Sequence, residues 1–128
     1  MKINEVHHAD VLVEFYRELT ERFGEKGLRA FCKGSQLYGE SRGRRMALRA
    51  LRDGYELDYD SYFAYGEFDS TPGEAEYRMK AEPGLVKENA VRCLWATEFA
   101  ARGCKDCGRV YCKLIDKAVA RGFDPNLQ

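Results

Sequence analysis

The sequence predicts an α+β fold: N-terminal helices, a small antiparallel β-meander, and C-terminal helices packed on the sheet. Three observations predict it. Apolar residues recur at helical spacing in the first and last thirds, strict alternation replaces that period near residues 75–81, and Gly and Pro mark the changes. A chain of 128 residues with 45% hydrophobic content can build one core, so a single domain over 1–128 is expected.

From Val6 to Phe23, Leu12, Phe15, Tyr16, Leu19 and Phe23 form a helical stripe that Gly24 ends. A second helical region runs from Glu25 to Arg52, continuous or broken at Gly34, Gly39 and Gly43, and Asp53-Gly54 closes it. The aromatic run 62–68 reads as a strand. The alternating run 75–81 reads as a second strand, joined to the first by Asp69-Ser-Thr-Pro-Gly73, and Pro83-Gly84 turns into a third over 85–93. Helical signals return over 94–102 and 105–121, ending at Gly122 and Pro125. A thin sheet leaves an edge that a second chain can complete, so a homodimer is expected.

Composition narrows the partners. Acidic and basic residues number 21 each, so no net field draws the chain to nucleic acid, and a small molecule is the favoured partner. Residues 1–20 interleave charged and apolar side chains, which fits neither a signal peptide nor a membrane span. With an odd count of five cysteines, the expected location is cytoplasmic, with thiols reduced.

Chemistry-bearing residues concentrate in the last third. On a helical wheel Val110, Tyr111, Leu114, Ile115, Ala118 and Val119 form one apolar stripe, with Cys112 and Asp116 together on its border, a position suited to lining a pocket. Cys93 stands where a strand hands over to a helix, and a helix N-terminus stabilises thiolate, so it is a nucleophile candidate beside the plain reading of a buried cysteine. His8 shares the face of Leu12, Phe15, Tyr16 and Leu19 while His7 points away, which makes His8 the available imidazole. Arg42, Arg45, Arg49 and Arg52 stack as a solvated face, whereas Arg44 falls among Leu37, Ala47, Leu48 and Leu51 and would need Glu40, Asp116 or a substrate carboxylate as partner. Tyr62, Tyr65, Phe68 and Trp95 either wall a pocket or pack in the core. Cys104 and Cys107 read as core; with Cys93 and Cys112 they would otherwise form a metal-binding module.

Several separated motifs carry a family resemblance. They are His7-His8-Ala9, Tyr38-Gly39-x-x-Arg42-Gly43-x-Arg45-Met46, Asp53-Gly54, Tyr65-Gly66-Glu67-Phe68, Cys93-x-Trp95, and Gly108-x-x-Tyr111-Cys112-x-x-x-Asp116 through Gly122-Phe123-Asp124-Pro125. In this order the chain resembles the L-2-amino-thiazoline-4-carboxylic acid hydrolase family. The resemblance departs at Leu94, where a proline is expected, at Phe99, where a tryptophan is expected, and after Pro125, where the family continues into a further strand bearing a cysteine. It implies a hydrolase acting on a carbon–nitrogen bond in a cyclic amidine and opening a small carboxylated heterocycle to an N-carbamoyl amino acid, with no cofactor. The roles that follow are Cys93 or Cys112 as nucleophile, Asp116 on the amidinium nitrogens, Arg44 or Arg45 on the carboxylate, and His8 as proton shuttle. Trp95, Tyr111 and Tyr65 would contact the substrate. A binding domain of the same fold without turnover is the alternative.

Overall fold

The structure is a computed structural model describing residues 3–67, 76–82, 85–92 and 94–127, with side chains described over 6–67 and 95–127. Its elements are α1 (Ile3–Phe23), α2 (Glu25–Arg52), α3 (Tyr59–Ala64), β1 (Glu76–Glu82), β2 (Leu85–Arg92), α4 (Leu94–Ala101) and α5 (Lys105–Phe123). Helices α1 and α2 form a hairpin through Gly24, whose φ of 56° lies in the left-handed region that glycine enters without penalty. The glycines within the second helical region do not break it, and α2 runs continuously for 28 residues.

The reason lies in what those glycines face. The stripe Phe31, Ser35, Gly39, Gly43, Met46, Ala47 and Ala50 is buried, and α5 lies against it with Tyr111, Ile115, Ala118, Val119 and Phe123. A Cβ on Gly43 would sit 2.0 Å from the Val119 carbonyl oxygen, and one on Gly122 would sit 2.1 Å from the Glu40 carbonyl oxygen. The two backbones therefore approach closely, and glycine is what permits it. Phe99, Met46, Val13, Val119 and Cys107 fill the centre, each worth about 1.5–3 kcal/mol of burial for a side chain of Val or Phe size. Helix α1 packs on α2, and α4 closes against α1 and α5.

This corrects the α+β expectation. The core among the described residues is built by helices alone, and α4 and α5 pack on α1 and α2 rather than on a sheet. The strand expected over 62–68 is displaced by α3. Asp58 accepts a hydrogen bond from the Ser61 backbone N–H while Ser61 Oγ accepts one from the Asp58 N–H, so a capping box starts a helix there, and Tyr62 then stacks edge-on against Phe123 at 5.5 Å. Capping and tertiary contact outweigh the β preference of the aromatic run. Strands β1 and β2 pair antiparallel as a single hairpin, Tyr77 opposite Ala90 and Glu82 opposite Leu85, with an irregularity between Glu76 and Tyr77. The described residues form no three-stranded meander; the sheet is this two-stranded hairpin.

Candidate functional site

Four helices bring their polar and aromatic side chains together around one imidazole. His8, in the second turn of α1, has Nε2 at 2.9 Å from Tyr111 Oη on α5. Its ring lies 5.3 Å from Trp95 on α4 in a T-shaped contact and 5.4 Å from Tyr38 on α2. Tyr111 is buried, and Phe99 backs both it and Trp95. The arrangement is held by Arg102, which donates to Asp10 Oδ1 at 2.5 Å, to Glu98 Oε2 at 2.6 Å and to the Val6 carbonyl at 3.2 Å. That clip ties the start of α1, which carries His8, to α4, which carries Trp95.

Electrostatics give the group a definite protonation state. Burial, reinforced by the positive charge of Arg42, pulls His8 below its ordinary value of 6.5, so the imidazole is neutral at pH 7. Burial pushes Tyr111 upward and keeps its phenol protonated. A neutral imidazole in hydrogen-bond contact with a phenol can exchange a proton with it. Asp116, one turn beyond Cys112 on α5, is exposed as a residue, yet the protein around its carboxyl pushes its pKa up while Arg42 opposes the shift. The positive charge of Arg42 bears on His8, Tyr111 and Asp116 alike, while its guanidinium also pairs with Glu67.

The sequence reading placed some of these residues well and others not. His8, Trp95 and Tyr111 come together. Arg44 does not face the core: it is exposed, because the buried stripe of α2 is the small-residue one and the leucines beside Arg44 point outward. Arg42, Arg45 and Arg49 are not simply a solvated face, since all three converge on Glu67. Arg45 binds it through both carboxylate oxygens, at 2.7 and 2.5 Å, with Arg49 at 3.5 Å and Arg42 at 3.8 Å. The hydrogen bonds from Arg45 hold the Glu67 carboxyl below the usual carboxylate range. Arg45 is thus committed to an internal partner. Tyr65 donates to Asp53 Oδ2 at 2.5 Å, which pushes its pKa up to about 12, and it contacts Tyr55 rather than the His8 cluster.

Cys112 is exposed, as is Asp116 one turn on, and Cys93 lies outside the described residues, as does Phe68. Cys104 and Cys107 are core residues, and burial first of all pushes the Cys107 thiol up to about 12, an unreactive state. Among the described residues no group of three or more His, Cys, Asp or Glu is arranged to hold a metal, and no helix is long and apolar enough to cross a membrane. Arg42, Tyr38 and Glu67 are the residues that reading by wheel missed. A signal existed: Tyr38 and Arg42 are four apart and immediately precede Gly39 and Gly43, where α2 is packed against α5.

No curated protein and no solved structure matches the chain. The model of one family, L-2-amino-thiazoline-4-carboxylic acid hydrolase, matches residues 4–128, and the chain belongs to that family.

Proposed function

We propose that the chain hydrolyses the cyclic amidine of 2-amino-thiazoline-4-carboxylate, or of a closely similar small carboxylated heterocycle, to an N-carbamoyl amino acid. The observation that carries this reading is the His8–Tyr111 contact beside the charge of Arg42, in a chain of a hydrolase family. Neutral His8 takes a proton from water as the water oxygen bonds to the amidine carbon. The ring C=N becomes a single bond and its nitrogen gains a proton through the Tyr111 hydroxyl. Collapse of the tetrahedral carbon to the carbonyl breaks its bond to sulfur, the proton of its hydroxyl restores the Tyr111 phenol, and the departing thiolate takes the proton held by His8. Arg42 binds the substrate carboxylate, the role first given to Arg44 or Arg45, and Asp116 accepts hydrogen bonds from the amidinium nitrogens. Trp95 and Tyr38 flank the planar ring.

Water is the favoured nucleophile over a thiol because Cys112 is exposed and lies beside Asp116, whose carboxylate form disfavours thiolate. The test is incubation with 2-amino-thiazoline-4-carboxylate, following thiol release colorimetrically and carbamoyl product by mass spectrometry. The expected result is turnover that Cys112→Ser retains and His8→Gln loses. Saturable binding without product in the native protein overturns the reading in favour of a binding domain.

A further inference from the structure

Helix α2 carries a second stripe that the catalytic reading leaves unused. Gly34, Leu37, Ser41, Arg44, Leu48 and Leu51 follow one another at alternating spacings of three and four, the seam of a coiled coil, and point roughly 170° away from the buried stripe. Leu37, Leu48 and Leu51 are 50%, 68% and 53% exposed. Exposed leucines aligned over about four turns of one helix mark an interaction surface.

We infer that this seam pairs with the same seam of a second copy of the chain, α2 antiparallel to α2. The stripe is self-complementary in that direction. Centred between Arg42 and Gly43, the pairing sets Leu37 against Leu48 of the other copy, Gly34 against Leu51, and Ser41 against Arg44, so leucine meets leucine in one layer and a small residue faces a large one in the other two. Two further observations agree. A Cβ on Gly34 would meet nothing within 4 Å, so nothing in the monomer among the described residues calls for a glycine there; space for a leucine from the second copy does. Among the described residues Arg44 has no ion partner, and Glu40 has one carboxylate oxygen engaged by Gln36, leaving the other for an Arg44 guanidinium across the axis.

Light scattering coupled to size exclusion, at micromolar concentration of the full chain, tests this. The native protein should show twice the 14.7 kDa chain mass. Leu48→Glu should raise the dissociation constant about a hundredfold. Gly34→Phe should do the same while its circular dichroism stays native, because the added ring has open space in the monomer. Arg44→Glu should weaken the dimer and Arg44→Glu with Glu40→Arg should restore it. A native protein of single-chain mass overturns the inference, whether a foreign partner or residues 68–93 cover the seam, and so does a dimer indifferent to both Leu48→Glu and Gly34→Phe.

Discussion

The two long faces of α2 are built from the same helix and do opposite things. The inner face buries Gly39, Gly43, Ala47 and Ala50 so that α5 can approach to backbone contact, and at its border Tyr38 meets the His8 ring. The outer face spaces Leu37, Leu48 and Leu51 along solvent, with Arg44 among them. In this helix smallness rather than hydrophobicity marks the inside. The consequence is chemical as well as architectural, because two arginines two residues apart, Arg42 and Arg44, end up in different environments.

The sharpest way to break the inner face is the smallest substitution there. Gly43→Ala should destabilise the fold by about 3 kcal/mol, since its methyl would overlap the Val119 carbonyl and the Phe123 amide, and neither backbone can yield without separating the helices. Chemical denaturation measures it. A loss under about 0.5 kcal/mol would show that α2 and α5 are not in backbone contact there.

At the pocket edge, His8→Gln should lower kcat by about a hundredfold while leaving the fold near its native stability at pH 7. The pH profile supplies the sign. Because the folded pKa of His8 lies below 6.5, the neutral base persists below that pH, and the acid limb of kcat/KM should fall below 6.5. Stability follows the same linkage: the unfolded chain takes up the proton first, so the native protein loses stability as pH falls from about 6.5 through the depressed folded value, and His8→Gln should remove that part of the loss. An acid limb above 6.5 would place the essential base elsewhere.

The arginine pair gives a smaller contrast. Arg42→Met should raise KM for the carboxylated substrate by about tenfold to thirtyfold, the value of one charge-assisted hydrogen bond, whereas Arg44→Met should leave it unchanged in steady-state kinetics. Equal losses would return Arg44 to the site.

Much of this was legible from pattern. The boundaries of α1 at Gly24 and of α2 at Asp53-Gly54 follow from chain breakers, and the inward face of His8 follows from its alignment with Leu12 and Tyr16. On α5 the 3.6-residue period places Tyr111, Ile115, Ala118 and Val119 in the core. What pattern could not supply was the inside of α2. A hydrophobicity wheel weights Leu48 and Leu51 above Gly39 and Gly43, although close helix packing selects for the absence of a side chain, and so it turned Arg44 inward and Arg42 outward. The aromatic run near Tyr62 failed for another reason: the Asp58 and Ser61 cap is a local device that strand propensity does not register. Glu67 stands 22 residues from Arg45, and nothing in spacing announces that pair.

The smallest expected effect has the opposite sign to the largest and comes from the same substitution on the other face. Gly34→Ala adds a methyl where nothing lies within 4 Å, so it carries no steric cost, and it removes the backbone entropy that glycine loses on entering a helix. At dilutions where the chain is monomeric, the variant should gain about 0.5–1 kcal/mol, or roughly 2–5 °C in thermal midpoint for a chain of this length. Differential scanning fluorimetry at submicromolar concentration resolves such a shift. Gly43→Ala destabilising and Gly34→Ala stabilising, nine positions apart on one continuous helix, would show that α2 uses glycine for contact on one side and spends stability on it on the other. A loss of stability in Gly34→Ala would mean that the monomer already packs something against residue 34, and the outer face would no longer be open.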